Sequence, residues 1–277
     1  MFVALAVGVV ALAQLRNGDN VEAEDPGPVH VHGLGVDPAD AALFIATHTG
    51  LFRVAEGERT AVRVGDDFQD TMGFTIVGPK RFLGSGHPDL RQDLPPLLGL
   101  IESTDAGRTW EPVSLLGAAD FHILRSAHGR VYGYDVTQDK LLVSSDQGRS
   151  WDELARPGPL VDVAADPSES RQLVAVAQTR QGPALFESTT GGEQWSAIAS
   201  LAGLLAWPAS DRLYVVTQRG EVFVTPDRGR LLELRGRIGG EPAAFLAHDD
   251  DLYVALHDGT IKRSVDGGRS WSVRSAP

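Results

Sequence analysis

The sequence predicts an all-β protein, a six-bladed β-propeller in preference to a seven-bladed one. Three observations lead there. An octet recurs as "STDAGRTW" (103–110), "SSDQGRSW" (144–151), "STTGGEQW" (188–195) and "SVDGGRSW" (264–271), with a degenerate copy "TPDRGRLL" at 225–232. The starting points are separated by 41, 44, 37 and 39 residues, the length of one four-stranded blade. Between octets the chain runs apolar segment, turn, apolar segment, turn, apolar segment, as in "FHILRSAHGRVYGYDVTQDKLLVS" (121–144). The 31 glycines and 16 prolines fit many short strands joined by turns.

The units fall at 29–66, 70–117, 119–157, 159–201, 203–237 and 241–275. The first lacks an octet, and the second carries the Pro-rich insertion "HPDLRQDLPPLLG" (87–99), a lid or partner-docking loop. The first and last units are each complete, so ring closure needs no blade shared between the two ends. A closed ring leaves no long exposed sheet edge. The propeller then occupies residues 29–277.

Two segments precede it. "MFVALAVGVVALAQL" (1–15) is apolar and uncharged, too short for a full membrane span of about 20 residues. It reads as the core of a signal peptide or as an anchor. "RNGDNVEAEDPGP" (16–28) reads as a flexible linker. Together they place the domain outside the cytoplasm, secreted or tethered to the cytoplasmic membrane.

The net charge of −12, without clustered Lys and Arg, excludes a nucleic-acid surface and adhesion to anionic lipid. The absence of cysteine excludes disulfides, thiolate metal sites and Cys nucleophiles. A monomer is expected, touching a membrane only through its N-terminal segment.

The octet suits a tight turn between the third and fourth strands. Asp105, Asp146 and Asp266 can accept backbone N–H groups. Gly107, Gly148 and Gly268 supply positive φ. Trp110, Trp151, Trp195 and Trp271 open the outer strand and pack inward. A feature repeated five times at equal steps serves stacking, not catalysis.

These octets resemble the Asp-box, or BNR, repeat of sialidases, sortilin-type receptors and photosystem II assembly factors. Thr190 stands in place of the Asp in one octet, and another lacks the Trp. The stretches "VHVHGLGVDP", "THTGLF" and "SGHPD" look like an exported bacterial group labelled sialidase-like or glycosyl-hydrolase-like. The resemblance implies three substrate-binding arginines, a Tyr–Glu pair and an Asp acid/base for a sialidase. The Arg-Ile-Pro-like motif is missing: the corresponding strand reads "HVHGLGVDP", with histidines in place of the arginine. Tyr134 has Asp135 beside it but no matching Glu. Sialidase activity is therefore not expected. A different glycoside hydrolase would draw its carboxylates from Asp70, Asp89, Asp120 or Asp135.

Blade topology puts the octets on one face and the ends of the second strands on the other. That opposite face collects His48, His87 and His257, with Asp135, Gln178 and Gln218 at the equivalent corners. His30, His32 and His122 start inner strands there. His128 and His248 fall on the octet face. Imidazoles with nearby carboxylates suit a Zn²⁺ or Cu²⁺ site near His32, His48, His87 and His122. The expected function is a non-catalytic binding or scaffold module of the cell envelope, holding a protein, glycan or metal on the histidine-rich face. The alternative is a glycoside hydrolase of sialidase-like architecture.

Overall fold

The computed structural model describes Asp25 and residues 27–277. The apolar segment 1–15 and most of the linker 16–28 lie outside the described residues. Six antiparallel four-stranded sheets span 31–63, 70–114, 121–154, 160–199, 204–237 and 242–275. The protein is a six-bladed β-propeller. In every blade the strands follow one another in chain order from the axis outward. The inner strands are Val31–Val36, Asp70–Gly78, Phe121–Ala127, Leu160–Ala165, Leu204–Ala209 and Pro242–His248. Each touches the next around the axis, and the last touches the first.

The apolar core is divided among the seams between blades. Phe44 and Leu51 of blade one meet Phe74 and Phe82 of blade two. Leu83 and Leu100 of blade two meet Phe121 and Leu124 of blade three. Val31, Leu34 and Ile45 of blade one meet Tyr253, Ala255 and Ile261 of blade six, which closes the ring without a shared blade. A buried aliphatic or aromatic side chain contributes about 1.5–3 kcal/mol, so every seam is strongly held.

The octets form the same turn each time. The Ser103 hydroxyl donates to Asp105 Oδ1 at 2.8 Å and accepts the Gly107 N–H at 2.8 Å. Asp105 Oδ1 in turn accepts the Thr109 N–H at 2.9 Å. Ser144, Asp146, Gly148 and Ser150 repeat this, as do Ser264, Asp266, Gly268 and Ser270. In the two degenerate octets, Thr190 Oγ1 accepts the Gln194 N–H and Asp227 Oδ1 accepts the Leu231 N–H. The turn therefore survives the loss of either the Asp or the Trp.

The octet glycines have a second duty. A Cβ on Gly148 would stand 2.0 Å from Leu100 Cδ2, and one on Gly107 would stand 2.2 Å from Leu51 Cδ2. Each leucine belongs to the preceding blade, so the turn docks one blade on another. The tryptophans are half-buried at the same seams. Trp151 Nε1 donates to Ser114 Oγ and Trp195 Nε1 donates to the Ala155 carbonyl.

Candidate functional site

The inner strands of five blades open with an irregularity that decides where side chains point. Pairing with the second strand shifts between Val31 and Gly33, Thr71 and Gly73, Phe121 and Ile123, Leu160 and Asp162, and Pro242 and Ala244. The residues passed over are His32, Met72, His122, Val161 and Ala243. All five line the central channel, a cavity of ≈ 460 Å³. A β-bulge bends the strand and re-aims the extra residue, and here it turns that residue toward the channel mouth.

At this mouth the histidines gather around two carboxylates. His32, His48 and Asp70 each offer one ligand atom, and the three atoms lie within 4.8 Å of one another. His48 Nδ1 is 2.8 Å and His32 Nε2 is 3.8 Å from Asp70 Oδ1. The His32 approach is too long for a hydrogen bond, and His32 Nε2 is buried with no hydrogen-bond partner among the described residues. Buried polar atoms are ordinarily paired. His30 lies edge-on to His48, with ring centroids 5.1 Å apart.

Burial pushes the His32 imidazole down to about 3, helped by the neighbouring imidazoles of His48, His122 and His30. His32 is thus neutral across the physiological range, the form that binds metal ions. Burial raises the Asp70 carboxyl, against the pull of His48 and His87.

The second group is His87, Asp120 and His122. His122 Nε2 is 3.0 Å and His87 Nε2 is 3.7 Å from Asp120 Oδ2. Asp120 Oδ1 is buried without a partner among the described residues. The four expected metal ligands therefore do not share one point. They divide into His32 with His48 and His87 with His122, because each pair faces the carboxylate two residues before the bulge residue of an inner strand.

Other expected site residues are placed differently. Asp135 is fully buried, and its Oδ1 accepts the N–H groups of Asp120 and Thr137 and the Thr137 hydroxyl. It occupies the strand position of buried Thr47, and Val136 takes the corner that His48 takes: the Val136 N–H reaches the Asp120 carbonyl as the His48 N–H reaches that of His30. A one-residue difference in register turns a side chain to the other face. Asp89 is likewise committed, accepting the Phe68 and Arg91 N–H groups and pairing with the Arg91 guanidinium, which holds its carboxyl well below the usual range. Gln178, Gln218 and His257 stand exposed at the corners of blades four, five and six, outside the cluster.

His128 Nε2 lies 2.7 Å from the Asp166 carbonyl oxygen, and His248 lines the far end of the channel. Arg125 also lines the channel and is paired with buried Asp162 at 2.7 Å.

No family model matches the sequence, and no curated protein matches it. Solved structures show the fold. A chain of a nidogen/laminin complex is similar with a TM-score of 0.66 at 14% identity, covering 85% of this chain and 93% of that one. YCF48 from Cyanidioschyzon merolae is similar with a TM-score of 0.54 at 15% identity, covering 90% and 85%. The GH74 xyloglucanase from Xanthomonas campestris is similar with a TM-score of 0.54 at 20% identity, covering 89% of this chain but 38% of the enzyme. At these identities the likeness is one of fold, which hosts binding proteins and enzymes alike.

Proposed function

We propose that this propeller is an exported, non-catalytic binding module of the cell envelope whose axial mouth holds a Zn²⁺ or Cu²⁺ ion. His32, His48 and Asp70 would be its ligands. One observation carries the reading: three ligand atoms of the right chemistry lie within 4.8 Å, and the buried His32 Nε2 has no other partner among the described residues. Two imidazoles and a carboxylate suit either ion and leave at least one position open. A partner protein or glycan could fill that position. The resemblance of the octets to the Asp-box repeat and the apolar segment 1–15 support the assignment to exported propellers. A similar propeller in a nidogen/laminin complex supports a protein partner.

Metal analysis of protein purified without a histidine tag is the direct check. The expected result is bound Zn or Cu and a rise in Tm on adding the ion, both diminished in the His32→Ala/His48→Ala variant. A metal-free protein whose Tm ignores both ions would remove the proposal.

A glycoside hydrolase is the second reading. It is favoured by two carboxylates at one mouth, Asp70 and Asp120, with Asp70 raised by burial as a general acid requires. Turnover of chromogenic glycosides that disappears in Asp70→Asn or Asp120→Asn would establish it. A sialoside is not the expected substrate: Arg125, the arginine lining the channel, is already paired with Asp162.

A further inference from the structure

We infer that the mouth carries a second metal centre, formed by His87, Asp120 and His122, one seam around the ring from the first. The inference rests on the reading of His32, His48 and Asp70 as a metal site, and it concerns separate residues.

The argument begins with the repeat. Asp70 pairs with His87 across blade two as His30 lies against His48 across blade one. His48 and His87 are thus equivalent corners, and Asp70 and Asp120 are equivalent positions, each two residues before the bulge residue of its inner strand. At the seam between blades one and two, the corner histidine meets the next blade's carboxylate at 2.8 Å. At the seam between blades two and three, it meets the next carboxylate at 3.7 Å. The same two positions therefore meet twice in succession, through His48 Nδ1 at one seam and His87 Nε2 at the other.

Each seam adds an imidazole from a bulge. In the first it is His32, from the preceding blade. In the second, Met72 takes the place of His32, and the imidazole comes instead from His122 of the following blade, 3.0 Å from Asp120 Oδ2. His122 Nε2 and His87 Nε2 thus approach the same Asp120 oxygen from two sides, at 3.0 and 3.7 Å. This set is looser than that of the first centre, whose three atoms lie within 4.8 Å of one another, and the two rings would have to close on the ion.

The outer contacts are those of a metal ligand. His87 Nδ1 lies 2.8 Å from the Pro96 carbonyl oxygen, so the ring donates there and leaves its Nε2 lone pair facing Asp120. Metal-binding histidines ordinarily make such an N–H···O=C contact with the nitrogen that does not bind. Pro96 belongs to the insertion in blade two, which thereby acquires a role: it orients His87. Asp120 Oδ1 remains buried without a partner among the described residues, as His32 Nε2 does at the first centre. His122 Nε2 lies within hydrogen-bond reach of Asp120 Oδ2. To bind an ion through Nε2, the neutral His122 ring would carry its proton on Nδ1.

Calorimetric titration of tag-free, metal-stripped full-length protein with Zn²⁺ tests the inference, with stoichiometry as the readout. Two equivalents are expected. The His87→Ala/His122→Ala variant should bind one equivalent, and so should His32→Ala/His48→Ala. All four rings are partly exposed, so these variants should keep the fold; Asp120→Asn supplies an independent variant with the same expectation of one. A wild-type stoichiometry of one that is unchanged by His87→Ala/His122→Ala would overturn the second centre and leave the first standing. Two equivalents retained in that variant would also overturn it. No binding at all would remove both centres.

Discussion

His48 Nδ1 stands 2.8 Å from Asp70 Oδ1, an imidazole at the corner of one blade meeting a carboxylate that opens the next. The contact joins two blades at the channel mouth. Asp70→Asn keeps the shape and removes the anionic ligand. Its affinity for Zn²⁺ should fall at least about tenfold, roughly 1.4 kcal/mol. Calorimetry gives the affinity, and an unchanged circular-dichroism spectrum shows that the fold is kept. Undiminished affinity would mean that the ion, if bound, sits elsewhere.

The octets should matter for stability and not for binding. Gly148 has φ +85° and no room for a Cβ against Leu100. Left-handed backbone and overpacking each cost roughly 1–2 kcal/mol, so Gly148→Ala should destabilise by about 3 kcal/mol. Gly129 has a similar φ of +71° but nothing within 4 Å. Gly129→Ala should therefore cost only about 1 kcal/mol. Urea denaturation of the two variants separates the packing from the backbone contribution.

Acid should unfasten the octets. The Ser150 hydroxyl and N–H, with Ser144, hold Asp146 down to about 2, and Asp266 is lowered by the same contacts from Ser270 and Ser264. For Asp105, burial pushes upward, but hydrogen bonds from Thr109 and Ser103 outweigh it. A carboxyl with a lowered folded value stabilises above its unfolded value, 3.8, and the contribution is lost as pH falls through the folded value. Tm should thus drop between about pH 4 and pH 2, and less steeply in Asp146→Ala. An identical slope in that variant would show that other groups govern acid unfolding.

Asp135 should behave as a structural residue. Asp135→Ala strands the buried N–H of Asp120 and removes the acceptor of the half-buried Thr137 N–H. An unpaired buried donor costs about 1–3 kcal/mol, so a loss in that range is expected. The zinc stoichiometry of the surviving folded protein should be unchanged. Chemistry that depends on the Asp135 carboxylate would show instead as lost binding or turnover in a protein of full stability.

Much of the fold was legible because the octets are a ruler. Ser, Asp and Gly at fixed offsets can make one turn, and five copies at near-equal steps mark five of the six blades and set the length of the first. The site was legible only in part. Counting histidines by face found His32, His48, His87 and His122, but alternation along a strand cannot show a bulge. The bulges send His32 and His122 to the mouth; Asp135, paired with Phe121 as Thr47 is with Val31, falls one residue short of the corner that Val136 occupies. Asp70 and Asp120 look alike in sequence to other acidic residues beside turns; only pairing across seams separates them from Asp89 and Asp135.

Crystals of the tag-free protein soaked in Zn²⁺ and measured at the zinc absorption edge test the central claim most directly. The account predicts an anomalous peak within about 2.0–2.2 Å of one atom each from His32, His48 and Asp70. A fully soaked crystal with no anomalous density at the mouth, or with zinc only on exposed surface carboxylates, would contradict it.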